Sequence, residues 1–155
     1  MMSLAFRNLN PLNIRYSPMN KWKGQCGSYK GFCKFSSMEL GFRAAIVLLC
    51  NYHRKGYDTI SKIVSHWAPA SENDTTAYIR FVSQRLCPLY NDDVQRLDGT
   101  AFVDQRITSF EFICSLCLEM AYYEIGSKTF DQYAGEIIQA LNGAVANYKY
   151  PELCV

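Results

Sequence analysis

The sequence predicts a mainly α (α+β) fold, a single domain of about five helices with a small β-hairpin lobe near the N-terminus. Three observations predict it. Ser/Thr-x-x-Glu/Gln capping boxes stand at Ser36, Thr108 and Thr129, each just before an apolar-periodic run. One of those runs, Ser109 to Ile125, is apolar nearly all round, which places it at the centre of a fold. Lys21–Gln25 and Gly31–Phe35 flank a Gly-Ser-Tyr-Lys turn region, the pattern of a short hairpin. The expected layout is a loop and hairpin lobe over 1–35, a helical body over 36–143 and a tail over 144–155.

Taken in order, Ser36 caps the first helix and Glu39 reaches back to it, with Gly56 supplying a left-handed stop after Lys55. Asp58 or Thr59 begins a shorter helix that ends before Trp67-Ala68-Pro69, because Pro69 disfavours helix at Ala68. Asn73-Asp74-Thr75 caps a third helix, which ends near Leu86-Cys87-Pro88. Residues 88–107, with Asn91-Asp92-Asp93 and Asp98-Gly99, read as a polar surface loop. Thr108 opens the central helix and Gly126 ends it; Thr129 opens a last helix that stops at Asn142-Gly143. Beyond Ala144, Tyr148 and Tyr150 are the anchors.

Composition bounds the function. The chain has 155 residues, 49% hydrophobic and 19% charged, the balance of a globular domain rather than a disordered one. A formal charge of +2, read as evenly spread, argues against a nucleic-acid partner. The longest apolar run, Ala44 to Cys50, is too short to cross a bilayer, so no membrane partner is expected. Met1 to Asn10 has no basic patch followed by an apolar run, so the expectation is synthesis in the bacterial cytoplasm without a signal peptide. Eleven Tyr, nine Phe and two Trp are mostly explained by packing, although aromatics beyond the needs of a core often line sugar or peptide grooves. Seven cysteines cannot all pair within one chain. Cys114 and Cys117 form a C-x-x-C inside an apolar helical pattern, with no second such motif and no His nearby in sequence. They read as buried thiols, and neither a metal nor another cofactor is expected.

On the central helix, Phe110, Ile113, Cys114, Cys117, Leu118 and Ala121 follow one face, and the next step falls on Glu124. Burial and the negative end of the helix dipole would both raise its pKa from about 4.3. A carboxyl kept protonated in this way suits a general acid. A carboxylate at a wet helix end that simply reaches solvent is the alternative.

Asn10-Pro11-Leu12-Asn13-Ile14-Arg15, Lys21-Trp22-Lys23-Gly24 and Phe32-Cys33-Lys34-Phe35-Ser36-Ser37 are similar to a run in bacterial and phage glucosaminidases of the lysozyme superfamily. Trp67-Ala68-Pro69 through Asn73-Asp74-Thr75 and Tyr78 resembles the loop of those enzymes that leads into a Tyr-bearing helix. The same order also resembles a module of phage virion proteins and Bacteroidetes mobile elements, a closer likeness over about residues 8–86. The glucosaminidases carry their catalytic Glu upstream of the Asn-rich segment, whereas here nine residues precede Asn10 and none is acidic. Met120-Ala121-Tyr122-Tyr123-Glu124-Ile125-Gly126 looks like the missing Glu-x-Gly motif, displaced as a circular permutation would displace it.

The resemblance implies a lysozyme-like peptidoglycan hydrolase of phage or mobile-element origin, its partner the glycan strand and its carrier a virion or secretion machinery. Glu124 would protonate the glycosidic oxygen. Asn10, Asn13 and Arg15 would bind sugar hydroxyls, N-acetyl groups or the stem-peptide carboxylate. Trp22, Trp67 and Tyr78 would offer flat faces to sugar rings. Two alternatives stand beside it. One is a non-catalytic phage structural or cell-wall-binding protein that keeps the fold. The other is a cysteine amidase or peptidase built on Cys26 with His53 or His66, activated as thiolates usually are by an imidazolium or a helix N-terminus.

Overall fold

The computed structural model describes residues 2–90 and 101–154. The expected turns at Asn91-Asp92-Asp93 and Asp98-Gly99 lie outside them. The architecture is mostly helical with one small antiparallel sheet, as predicted, and contacts gather into two compact units. The first comprises Met1–Leu48 and Met120–Tyr150, the second Leu49–Glu119 and Pro151–Val155.

The first unit opens with α1 (Leu4–Arg7), capped by Ser3, and a loop that leads to the hairpin β1 (Gln25–Tyr29) and β2 (Phe32–Phe35). The first strand lies further along the chain than expected, because Gly27-Ser28-Tyr29 is strand and the turn is Lys30-Gly31. Both turn residues have positive φ, 52° and 85°, as a two-residue hairpin turn requires. Cys33 and Phe35 of β2 are buried, while β1 is mostly exposed. Helix α2 (Met38–Arg54) starts one residue later than the capping box suggests. Ser37, not Ser36, accepts the Leu40 N–H, at 3.1 Å. Glu39 is drawn away from the cap by Tyr148, whose hydroxyl donates to it at 3.2 Å.

Helix α5 (Phe110–Ile125), the central apolar helix, ends at Gly126 with φ 93°. Its last turn buries Met120, Ala121 and Ile125 in this unit. The third capping box does not open a helix. The chain re-enters helix directly after Gly126 as α6 (Ser127–Gln132), and α7 (Ala134–Asn147) follows, running past the expected stop at Asn142-Gly143. Gly143 lies inside this helix, beside the Glu39 carboxylate.

The second unit contains the C-terminal part of α2, α3 (Ile60–Trp67), α4 (Thr75–Tyr90), a 3₁₀ turn (Phe102–Asp104) and the N-terminal part of α5. Thr59 caps α3 and Asp74 caps α4, as their positions predict. Pro88 does not end α4: one proline in the final turn forfeits a single ladder bond, and the helix continues to Tyr90. Ser109 rather than Thr108 caps α5, accepting the Phe112 N–H at 3.2 Å. Ile107, within the expected surface loop, is buried; its N–H donates to the Asp58 carbonyl at 2.8 Å, and its own carbonyl accepts from His53 Nε2 at 2.7 Å. Ile60, Ile63, Val64, Tyr78, Val82, Leu86, Ile113 and Leu116 complete this core.

Cys50, Cys114 and Cys117 meet in the second unit as free thiols. Burial pushes Cys50 up to about 11 and, with the neighbouring Cys50 and Glu111 charges, Cys114 up to about 12. Burial, then the Cys114 and Cys50 charges, also raises Cys117 well above its ordinary value. An alkylating reagent at neutral pH should therefore label exposed Cys26 and Cys154 quickly, and leave these three untouched until denaturant is added. Mass spectrometry of the peptides checks it. Because their folded pKa values lie above the ordinary thiol value of 9.0, these thiols stabilise the fold fully below pH 9. That contribution is lost as pH rises through 11 and 12.

Candidate functional site

The loop from Asn8 to Ile14 is organised by one side chain. Asn10 is fully buried. Its amide Nδ2 donates to the Ile14 and Cys33 carbonyls, both at 3.0 Å, and its Oδ1 accepts the Ile14 N–H at 2.8 Å. These bonds use the whole amide, so Asn10 ties the loop to β2 and offers nothing to a ligand. Asn13 is turned outward by a left-handed backbone, φ 54°, which Asn tolerates better than most residues. Its Nδ2 donates to Glu124 Oε1 at 3.4 Å, a long hydrogen bond, while its Oδ1 is screened from solvent without a partner among the described residues.

Glu124 sits next to the last residue of α5 and is half-buried. The expected stripe thus delivers it to the edge of the core rather than into it. Two residues earlier, the Tyr122 hydroxyl donates to both carboxylate oxygens of Asp131, at 3.0 and 3.1 Å, across the Gly126 turn. Asn13 and Glu124, separated by 111 positions, are thus within hydrogen-bonding reach of each other.

The other candidates fall elsewhere. The Arg15 guanidinium lies 5.5 Å from the centre of the Phe32 ring. Trp22 lines a separate cleft of about 320 Å³ with Tyr16, Pro18, Asn20, Lys21, Gln25 and Gly27, a group without Asn13, Arg15 or Glu124. Within it the Trp22 backbone N–H donates to Gln25 Oε1 at 3.2 Å, and Gly24, with φ 79°, turns the chain against Leu40. Trp67, half-buried, and Tyr78, fully buried, belong to the second unit, where Tyr78 is core rather than a platform. Tyr16, Asn20 and Gln25 follow no period in sequence, and only their crowding around Trp22 there signals that they share its cleft.

The cysteine-protease alternative loses its bases. His53 is buried and engages the Ile107 carbonyl, and His66 stacks on Tyr57 with ring centres 4.0 Å apart. Cys26 stands exposed on β1. Among the described residues no group of three or more His, Cys, Asp or Glu is arranged to hold a metal ion.

No protein-family model matches the chain, so the lysozyme-superfamily resemblance finds no support there. A curated protein does match. The chain is 37% identical over 86 residues to Protein P5 of Pseudoalteromonas phage PM2, covering 52% of this chain and 54% of that protein. The likeness is to a phage protein. The chain spans about half the length of this curated relative, and the likeness to Protein P5 agrees with the phage origin that the sequence resemblance implies. No described helix is long and apolar enough to cross a membrane.

Proposed function

We propose that the chain is a phage-type virion protein that associates with the bacterial cell wall without cutting it. The identity shared with Protein P5 of phage PM2 supports the phage part of this reading. Its wall-facing element is the half-buried Glu124 carboxylate, held by the Asn13 amide, which can accept from sugar hydroxyls and N-acetyl N–H groups. The particle assignment is tested by peptide mass spectrometry on purified particles released by the producing cells. Recovery of the chain in particle fractions is expected; its presence in the lysate with absence from particles overturns the assignment.

A second reading is favoured by one observation, the 3.4 Å approach of Asn13 to Glu124. In it Glu124 is the general acid of a glycan-strand hydrolase or lytic transglycosylase, and Asn13 orients the scissile unit. Purified chain and its Glu124→Gln variant, each incubated with peptidoglycan sacculi, separate the two. The virion-protein reading expects both to sediment with sacculi and neither to lower turbidity. Clearing by the parent chain, lost by at least about a hundred-fold in Glu124→Gln, replaces it with the hydrolase.

A further inference from the structure

The formal charge of +2 conceals a division. The first unit carries nine Lys and Arg against four Asp and Glu, the second seven against ten. Six of the nine precede the first acidic residue of the chain, Glu39: Arg7, Arg15, Lys21, Lys23, Lys30 and Lys34, all of them exposed. The hairpin sorts four of these with two aromatic rings. Tyr29 pairs with Phe32 and Gly27 with Lys34 across the sheet, and Arg15 bridges to Phe32. Directly opposed residues share a face, as do residues two apart. Tyr29, Phe32, Lys34 and Arg15 therefore stand on one side of the sheet, opposite buried Cys33 and Phe35. Arg7 and Lys30 reach the same ring, with the guanidinium carbon 5.7 Å and Nζ 5.5 Å from the Tyr29 centroid.

We propose that this hairpin face, Tyr29 and Phe32 among Arg7, Arg15, Lys30 and Lys34, binds single-stranded nucleic acid. Rings interleaved with cations on a sheet are the arrangement on which unstacked bases lie while the charges take the phosphates. A base that stacks on Tyr29 displaces Arg7 or Lys30 from the ring, and the displaced cation meets the adjacent phosphate. The alternatives use less of what is present. A neutral glycan has no need of an acid-free run of six cations. A lipid surface requires apolar groups that insert, whereas both rings here already carry cations. A duplex keeps its bases stacked away from the rings.

The test is fluorescence anisotropy of an end-labelled oligothymidylate with the full chain. Binding is expected at low salt, with a log affinity–log salt slope of about −2 to −3 for four neutralised phosphates. Tyr29→Ala should weaken it on the order of ten-fold. Lys30→Glu with Lys34→Glu should abolish most of it, whereas Lys55→Glu with Arg80→Glu, exposed cations of the second unit, should leave it unchanged. Circular dichroism establishes that each variant keeps its helix content. The proposal is overturned by no binding at low salt, or by Tyr29→Ala binding like the parent. Tighter binding of duplex, equal binding of heparin, or binding to anionic phospholipid vesicles in place of the oligonucleotide also overturns it.

Discussion

Asn10→Ala is expected to cost about 3–5 kcal/mol of folding stability, more than a solvent-facing polar residue in a loop would suggest. The Ile14 N–H would be left without its acceptor, and the Ile14 and Cys33 carbonyls would each lose a donor, all around a side chain with no exposure. An orphaned buried donor costs about 1–3 kcal/mol and each lost hydrogen bond about 1 kcal/mol. Asn10→Asp keeps one acceptor but turns a carboxylate toward two carbonyls, and should be no better. In a protein of this size the midpoint of thermal unfolding should fall by roughly 10 °C. Urea titration measures the free energy directly, and a loss below about 1 kcal/mol would sink the assignment of Asn10 as the knot of this loop.

Gly41→Ala should destabilise by about 3 kcal/mol, with a sign opposite to helix propensity. Gly41 lies inside α2, where alanine is ordinarily better by about 1 kcal/mol. Here the added Cβ would sit 2.1 Å from the Leu9 carbonyl oxygen and 2.7 Å from Pro11 Cδ. Neither atom is the end of a flexible side chain, so relief requires the backbone of residues 9–11 to move. That segment holds Asn10, and its displacement would strain the bonds just described. Gly135→Ala in α7, where nothing lies within 4 Å of the added Cβ, is the internal comparison and should be neutral or stabilising. Equal stabilities for the two variants would show that α2 and the loop are not in the contact described.

What the sequence made legible follows from how local each signal is. Caps at Thr59 and Asp74 were readable because the chemistry lies within three residues. At Ser36 and Thr108 the boxes located the helices but missed the cap by one residue, since adjacent Ser37 and Ser109 offer the same hydroxyl and only the entry angle chooses. A glycine that stops a helix and one that continues it are identical in sequence, and Gly143 continues it, packed beside Glu39 more than a hundred positions away. The final helices were misdrawn for a related reason: the chain turns at Gly126 and resumes helix at once, so the Thr129 box falls inside α6. Of the candidate site, Glu124 and Asn13 came from a stripe and a motif and do meet. Asn10 shared the motif but not the exposure, and the crowding of cations into residues 1–38 was masked by summing charge over the whole chain.

The two asparagines of the Asn10–Asn13 loop divide their duties in a way that bears on how such a protein changes over generations. One faces inward and answers to folding alone; the other, three positions on, needs only a left-handed backbone and is otherwise free to be selected for what it touches. Glycine or aspartate at position 13 would keep that backbone while altering the chemistry beside Glu124. A lineage could thus gain, lose or retune a surface activity at this loop while its scaffold stays under unchanged purifying selection.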